Sequence, residues 1–305
     1  MRLIKNFVIA AASAAAILLP PPAKAGVRVF ACEPEWAALA EAVGGGEIEA
    51  FAATTAFQDP HYIRARPSLI ARIRSADLVF CSGADLEIGW LPLLLQRGAP
   101  AGVQPGQPGH LLAADHVELR DRPLSLDRAA GDIHPQGNPH VHLDPRNLVT
   151  LARVLAERLA IIDPANAERY QAGVEAFVSG WSARIAAWEK RAEGFRGMKV
   201  ITHHKAWTYL VAWLGLDRVA TLEPKPGLPP TSAHLEALLD RARTGQVSAI
   251  LRTPYDPPVA ARWLSGRTGL PELVLPYTVG ADGAPDLVAL FETTLARLES
   301  VRRGR

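Results

Sequence analysis

Short apolar segments alternate with segments of helical spacing along this chain, and that alternation limits the fold more than any other feature. Residues 27–31, 48–53 and 77–81 have the composition of buried strands. Residues 34–43 and 67–76, which lie between them, carry apolar side chains at helical spacing. Strand–helix–strand units with short turns predict a parallel sheet covered by helices on both faces.

The same alternation returns in the C-terminal part of the chain. Strands are predicted there at 199–202, 219–222, 249–252 and 273–275. Helices are predicted up to residue 214 and at 232–242, 258–268 and 286–301. The longest helical pattern lies between the two parts and begins at Asp163-Pro164, a pair that suits a helix N-terminus. The sequence therefore predicts the α/β class, with two lobes, each a mainly parallel sheet flanked by helices, joined by one long spine helix.

The first 25 residues have the pattern of an export signal. Arg2 and Lys5 precede an apolar stretch at 7–19, and Ala23-Lys24-Ala25 suits cleavage between small residues. The apolar stretch is shorter than the roughly 20 residues that a membrane-spanning helix needs. We expect a signal peptide at 1–25 and an exported protein; an uncleaved membrane anchor is the alternative.

Length and charge restrict what the exported part can be. About 280 residues remain, which suits two lobes. The predicted parts are an N-terminal lobe at 26–162, a linking helix at 163–197 and a C-terminal lobe at 198–305. Loss of Arg2, Lys5 and Lys24 leaves 30 basic residues against 31 acidic ones. This near-neutral balance argues against a nucleic-acid-binding protein.

Residues 98–137 interrupt the regular pattern of the first lobe. They are rich in Gly, Pro, Asp and Arg, and they contain His110, His116 and His134. Long loops without structure of their own are uncommon and often functional. We expect a flexible surface loop with possible short strands, whose histidines are solvated; weak transfer of metal along them is the alternative.

The two cysteines each end a predicted strand. Cys32 follows the first strand and Cys81 ends the third. The carboxyl ends of neighbouring parallel strands could bring the two sulfurs within bonding range. A disulfide and two free buried thiols both remain open.

Five histidines lie in three segments that could meet around one metal ion. The segments are Asp59-Pro60-His61, Asn138-Pro139-His140-Val141-His142 and Thr202-His203-His204-Lys205. Neutral imidazole is the commonest side-chain metal ligand near neutral pH, and three imidazoles suit zinc best among the abundant divalent ions. Because the segments are far apart in the sequence, such a site would form only on folding.

These segments also resemble those of a known family. The chain resembles the metal-binding solute receptors of ABC transporters that import zinc or manganese, the group whose lobes are joined by one long helix. The match lies in Asp59-Pro60-His61, Ala76-Asp77-Leu78-Val79, Asn138-Pro139-His140-Val141 with Leu143-Asp144-Pro145, His204-Lys205-Ala206-Trp207-Thr208-Tyr209-Leu210, and Glu223-Pro224-Lys225-Pro226-Gly227. In that family a periplasmic or surface-bound receptor captures the ion between its lobes and delivers it to a membrane permease.

The resemblance implies metal ligands at His61, His140 and His204, two from the first lobe and one from the second. His142 stands where the family commonly has Trp, and His203 is an additional imidazole. If residues 140 and 142 lay on a strand they would share a face, so His142 could approach the metal. Hydrogen bonding to a ligand, or packing, is the alternative for both.

The fourth ligand departs from the family pattern. Pro276 occupies the place where a carboxylate is expected, and Arg252 begins the segment where another acidic residue is sometimes found. Water is our preferred fourth ligand, with Asp256, Asp59 and Glu223 as substitutes. Manganese prefers sites rich in oxygen, so the loss of a carboxylate favours Zn²⁺ over manganese.

The resemblance therefore implies a monomeric periplasmic receptor that captures Zn²⁺ and passes it to the permease of an ABC importer. It would not be an enzyme. The alternatives are an exported zinc hydrolase that uses three histidines and a bound water, a metal-dependent adhesin or sequestering protein on the same scaffold, and unrelated structural histidines. The sequence contains no His-Glu-x-x-His segment, which argues against the hydrolase.

Overall fold

Two parallel sheets form the framework of the protein in a computed structural model that describes residues 26–123, 131 and 133–303. The described strands are β1 (Val27–Ala31), β2 (Ile48–Ala52), β3 (Leu78–Cys81), β4 (His110–Leu112), β5 (Lys199–Thr202), β6 (Asp217–Thr221), β7 (Ala249–Arg252) and β8 (Glu272–Val274). The strand orders are β2-β1-β3-β4 and β6-β5-β7-β8, so both sheets have the same topology. The predicted signal peptide at 1–25 lies outside the described residues.

Helices cover the sheets as the alternating pattern predicted. The described helices are α1 (Pro34–Gly44), α2 (Pro67–Ile73), α3 (Leu91–Gly98), α4 (Pro145–Ile162), α5 (Ala167–Ala192), α6 (Thr208–Leu214), α7 (Ser232–Thr244), α8 (Pro258–Thr268) and α9 (Leu287–Arg303). The sequence pattern did not predict α3 and α4. In the described part of the chain, no helix is both long enough and apolar enough to cross a membrane.

The predicted spine helix is α5, which contacts elements of both lobes. Trp181 donates a hydrogen bond from its indole to the Pro145 carbonyl at the start of α4, with an N–O distance of 2.8 Å. The Trp188 indole donates to Glu292 of α9 at 2.6 Å. The helix begins later than predicted, because the Asp163 carboxylate accepts from Asn166 and from the Tyr170 hydroxyl and does not cap the backbone.

The long loop is more ordered than its composition suggested. Its described part includes β4, which adds a fourth parallel strand to the first sheet by pairing with β3. Short 3₁₀ turns lie at Ala101–Val103 and Ala113–His116. The first half of the segment 98–137 therefore contains one of the short strands that the sequence left possible. Residues 124–130 and 132 lie outside the described residues.

One cluster of buried apolar side chains extends through both lobes. It includes Val29 of β1, Trp181 of α5, Val200 of β5 and Phe291 of α9. The lobes therefore share a core along the spine helix and do not meet only at a narrow hinge. The lobe boundaries 26–162 and 198–305 remain a prediction.

Cys32 and Cys81 form a disulfide, with their Cα atoms 4.8 Å apart. The bond joins the carboxyl ends of β1 and β3, which are neighbours in the first sheet. Of the two states that the sequence left open, the structure shows the disulfide. Its sulfurs are consequently not available as thiolate metal ligands.

Candidate metal centre

His61, His140 and His204 meet between the two lobes. Each offers one ring nitrogen, and these three atoms all lie within 4.8 Å of one another. The ring centroids are 5.5 Å, 5.6 Å and 5.8 Å apart, and the rings meet edge to face. The structure thus brings together the three residues to which the sequence pointed.

The local fold explains how these histidines converge. His61 lies in the 3₁₀ turn Pro60–Tyr62 after β2, and His204 is the second residue beyond the end of β5. The carboxyl ends of parallel strands form the usual ligand-binding edge of such sheets. His140 precedes the 3₁₀ turn Val141–Leu143, which leads into α4. The carboxyl edges of the two sheets and this turn therefore place the three histidine rings around one point.

Carboxylates fix the orientation of two of the three rings. His61 Nδ1 lies 2.6 Å from Asp59 Oδ1, and His204 Nδ1 lies 2.6 Å from Glu223 Oε2. An ionised carboxylate can only accept a hydrogen bond, so each Nδ1 donates. The lone pair of a neutral ring then lies on Nε2, where it is available to a metal. Such carboxylate–histidine pairs commonly orient metal-binding imidazoles.

A tyrosine from the second lobe orients the third ring. His140 Nδ1 lies 2.7 Å from the Tyr277 hydroxyl. His140 Nε2 is buried and has no hydrogen-bond partner among the described residues. A buried polar atom without a partner is costly. A cation bound at Nε2 would remove that cost, with Nδ1 donating to the Tyr277 oxygen.

The environment changes the proton affinity of these groups in different directions. Burial, together with the neighbouring histidines, holds the pKa of His140 well below its usual range, so that ring is neutral. Burial also acts to lower the pKa of His204, but its hydrogen bond to Glu223 outweighs this effect and the pKa is raised. Burial acts to raise the pKa of Asp59, but the hydrogen bond with His61 lowers it, and the carboxyl is ionised.

Two cavities adjoin the centre from opposite sides. The larger, of about 490 Å³, is bordered by His61 and His204 together with apolar side chains such as Trp263. The smaller, of about 260 Å³, is bordered by His134, His140 and His204. An ion could therefore reach the three ring nitrogens from solvent.

His142 does not approach the centre, contrary to the interpretation that placed it on a strand. Residues 141–143 form a 3₁₀ turn, which directs His142 away from His140. Its Nε2 donates to the Tyr277 carbonyl at 2.9 Å, and its Nδ1 lies 3.1 Å from Glu35 Oε1. His142 therefore packs between the lobes behind the centre.

His203 is buried but lies outside the group of three. It borders the larger cavity, and its Nδ1 has no hydrogen-bond partner in the described part of the chain. Its backbone N–H continues the sheet by donating to Leu251 of β7 at 2.8 Å. His203 therefore adjoins the same cavity as His204 without joining the group of three.

The acidic residues considered as a fourth ligand are engaged elsewhere. Asp59 and Glu223 hold ring nitrogens, and Glu223 also accepts from the backbone N–H of Gly227 at 3.1 Å. Asp256 accepts from the Thr253 backbone N–H at 2.8 Å. Burial raises the pKa of Asp256, which makes its ionised form less available.

A further histidine, His134, lies beside the centre, so the expectation that it is solvated is wrong. Its Nε2 is 3.2 Å from His61 Nε2, and its ring centroid is 6.3 Å from that of His140. Its position six residues before His140, in a loop that must return to the same sheet edge, could have indicated that His134 lies near the centre. The Gly- and Pro-rich sequence around it predicted a solvated loop instead.

The chain matches the model of the family described as "Zinc-uptake complex component A periplasmic" over residues 29–301. This span includes both sheets and the spine helix. The chain belongs to that family, which confirms the resemblance drawn from the five sequence segments.

Curated relatives are distant and mostly longer. The zinc-binding lipoprotein AdcA of Streptococcus pneumoniae serotype 4 (strain ATCC BAA-334 / TIGR4) is 23% identical over 220 residues, covering 71% of this chain and 43% of AdcA. The manganese ABC transporter substrate-binding lipoprotein PsaA of Streptococcus pneumoniae is 22% identical over 213 residues, covering 68% of this chain and 66% of PsaA. The chain thus spans less than half the length of AdcA.

Solved structures share the fold. A zinc-bound ZnuA deletion mutant has a TM-score of 0.74 at 18% identity, covering 90% of this chain and 96% of that one. A periplasmic metal binding protein from Candidatus Liberibacter asiaticus has a TM-score of 0.72 at 15% identity, covering 90% and 99%. At these identities the similarity concerns the fold, and it confirms the predicted two-lobed α/β architecture.

Proposed function

We propose that this protein is a receptor that captures Zn²⁺ between its lobes for an ABC importer, with His61, His140 and His204 as ligands. The observation that carries the proposal is the buried His140 Nε2, which lies without a hydrogen-bond partner among the described residues and within 4.8 Å of ligand nitrogens from the other two histidines. Membership of a family of zinc-uptake components supports the same reading.

The donor set favours zinc over manganese. The three converging atoms are imidazole nitrogens, which suit zinc, whereas manganese prefers oxygen ligands. Asp59 Oδ1 and Glu223 Oε2 accept from the Nδ1 atoms of the rings, so these oxygens orient the ligands. Copper and nickel also bind nitrogen ligands well. Coordination geometry and the availability of each metal must therefore contribute to selectivity for zinc.

The arrangement suits capture better than hydrolysis. A hydrolytic zinc needs a general base near its bound water, but Asp59 and Glu223 already accept hydrogen bonds from the rings. Asp256 is held by the backbone of Thr253. We therefore propose a periplasmic, monomeric receptor, not an enzyme, with a membrane permease as its partner.

The test combines binding with uptake. We expect the purified protein to bind one Zn²⁺ in competition with a chromophoric chelator. A strain without the gene should take up less zinc at low supply, and the wild-type gene should restore uptake. His204→Ala should fail to restore it, whereas His116→Ala, which alters a histidine outside the centre, should succeed. Equal uptake with and without the gene at low zinc would contradict the proposal.

A further inference from the structure

We propose that His134 is the fourth protein ligand, so that the centre binds its cation with four imidazoles. This inference rests on the proposed function and extends it to the loop at 98–137. It places a histidine where we expected water, and it assigns the loop a direct part in metal binding.

The tautomer of His134 is fixed by its surroundings. Its Nδ1 lies 2.9 Å from the Ala84 carbonyl oxygen. A carbonyl can only accept, so Nδ1 donates and the lone pair of the neutral ring lies on Nε2. His61 has the same arrangement, since its Nδ1 donates to Asp59. Two ring nitrogens that both carry lone pairs therefore face each other.

The distance between these two nitrogens fits a shared cation. They are 3.2 Å apart, and when both rings are neutral each presents its lone pair to the other. Two ligands at tetrahedral angles on zinc, each at about 2.0–2.1 Å, lie about 3.3 Å apart. The ligand atoms of His61, His140 and His204 are within 4.8 Å of one another. The His134 ring centroid is 6.3 Å from that of His140, so His134 would move toward these atoms on binding. A cation between His61 and His134 would accept both lone pairs.

The segment that receives His134 is held in an unusual backbone conformation. Ala84 and Asp85 have φ values of 47° and 65°, a region that residues other than glycine seldom occupy. Such conformations are energetically costly and cluster at functional sites. Here the turn after β3 directs the Ala84 carbonyl toward the His134 ring.

Contacts with the second lobe hold the loop on both sides of His134. Gly131 has a φ of 84°, and a Cβ atom there would lie 2.2 Å from the Pro226 carbonyl oxygen, so only glycine fits. On the other side, the Asn138 side-chain amide donates to the Lys205 carbonyl at 2.9 Å. The loop therefore spans the gap between the lobes and carries His134 to the centre.

The experiment compares His134→Ala with His116→Ala, a matched change in the same loop. Zinc-edge X-ray absorption should count four imidazoles in the wild type and three in His134→Ala. We expect zinc affinity to fall at least about tenfold in His134→Ala and to stay unchanged in His116→Ala. Thermal unfolding without metal should be the same for all three proteins, which separates ligation from folding.

Two results would overturn the inference. One is three imidazoles in both the wild type and His134→Ala; the other is an unchanged affinity in His134→Ala. His140→Ala distinguishes this failure from failure of the proposed function. If His140→Ala loses zinc and His134→Ala does not, only the role of His134 is wrong. If neither loses zinc, the receptor proposal fails as well.

Discussion

The two lobes have sheets of identical strand order, but equivalent strand ends carry different chemistry. In the first sheet, β1 leads into Cys32, which is covalently joined to Cys81 at the end of β3. In the second sheet, the equivalent strand β5 leads into His203 and His204. The equivalent strand ends thus carry a disulfide in one lobe and a histidine of the proposed metal centre in the other. Topology fixes where a site can form, and the residues at the strand ends decide what it does.

The lobes also differ in how they hold the ligands. His61 and His204 are oriented by carboxylates from their own lobes, Asp59 and Glu223. His140 instead depends on Tyr277 of the opposite lobe. The first lobe therefore contributes two of the three imidazoles but cannot orient both alone. The third ring is therefore oriented only where the two lobes are in contact.

The largest effect should come from the ligands themselves. We expect His61→Ala, His140→Ala and His204→Ala each to lower zinc affinity by at least about 100-fold, because loss of a ligand should exceed the 10–100-fold cost of losing a residue that orients one. Competition with a chelator measures this, with His116→Ala as control. If a variant binds zinc as tightly as the wild type, the substituted histidine is not a zinc ligand.

The orienting carboxylates should have the next largest effect. Asp59→Asn and Glu223→Gln preserve size but remove the charge that fixes the Nδ1 proton. We expect each to weaken zinc binding about 10–100-fold, as measured by the same competition. Asp115→Asn, at an exposed acidic residue away from the centre, is the control. Losses below twofold in both variants would show that the rings orient themselves.

Zinc affinity should fall as pH decreases, and His204 should protonate at a higher pH than His140. Its hydrogen bond to Glu223 raises its pKa, whereas burial and neighbouring histidines lower that of His140. Below the pKa of His204 we expect affinity to fall about tenfold per pH unit, because binding then displaces one proton. Glu223→Gln should move this fall to lower pH. An unchanged midpoint would contradict the assignment to His204.

The contact between the lobes should contribute less than the carboxylates. Tyr277→Phe removes the neutral hydroxyl oxygen that accepts from His140 Nδ1, and hydrogen bonds to charged groups are about twice as strong. We expect zinc affinity to fall about fivefold, equivalent to about 1 kcal/mol. Tyr170→Phe is a matched control, because it loses a buried hydroxyl in the spine helix. Equal effects of the two changes would exclude a specific role for Tyr277.

Titration of Glu87, beside the disulfide, should change the stability of the protein with pH. It should not affect zinc affinity. Burial raises the pKa of Glu87, which accepts from the backbone at Ser82 and Gly83, to about 7. A carboxyl with a raised folded-state pKa stabilises below its unfolded value and loses that contribution as pH rises through about 7. We expect unfolding free energy to fall by on the order of 1–3 kcal/mol between pH 5 and 8. Glu87→Gln should reduce this slope in denaturant titrations; an equal slope would contradict the assignment.

The sequence predicted the framework because its signals are local. Strand ends, helix spacing and the segments around His61, His140 and His204 depend on neighbouring residues, and the structure agrees with them. His142 was misjudged because Pro139 and the start of α4 impose a 3₁₀ turn in place of a strand. His134 and Tyr277 were missed because their roles arise from contacts far along the chain. No local pattern marks such contacts.

The most direct test is the position of the metal. A crystal of the zinc-loaded protein, with anomalous data collected on both sides of the zinc absorption edge, locates the ion without assumptions about its ligands. We predict a single strong peak about 2.0–2.1 Å from Nε2 of His61, His140 and His204. A peak elsewhere, with these three nitrogens unbound, would contradict the account.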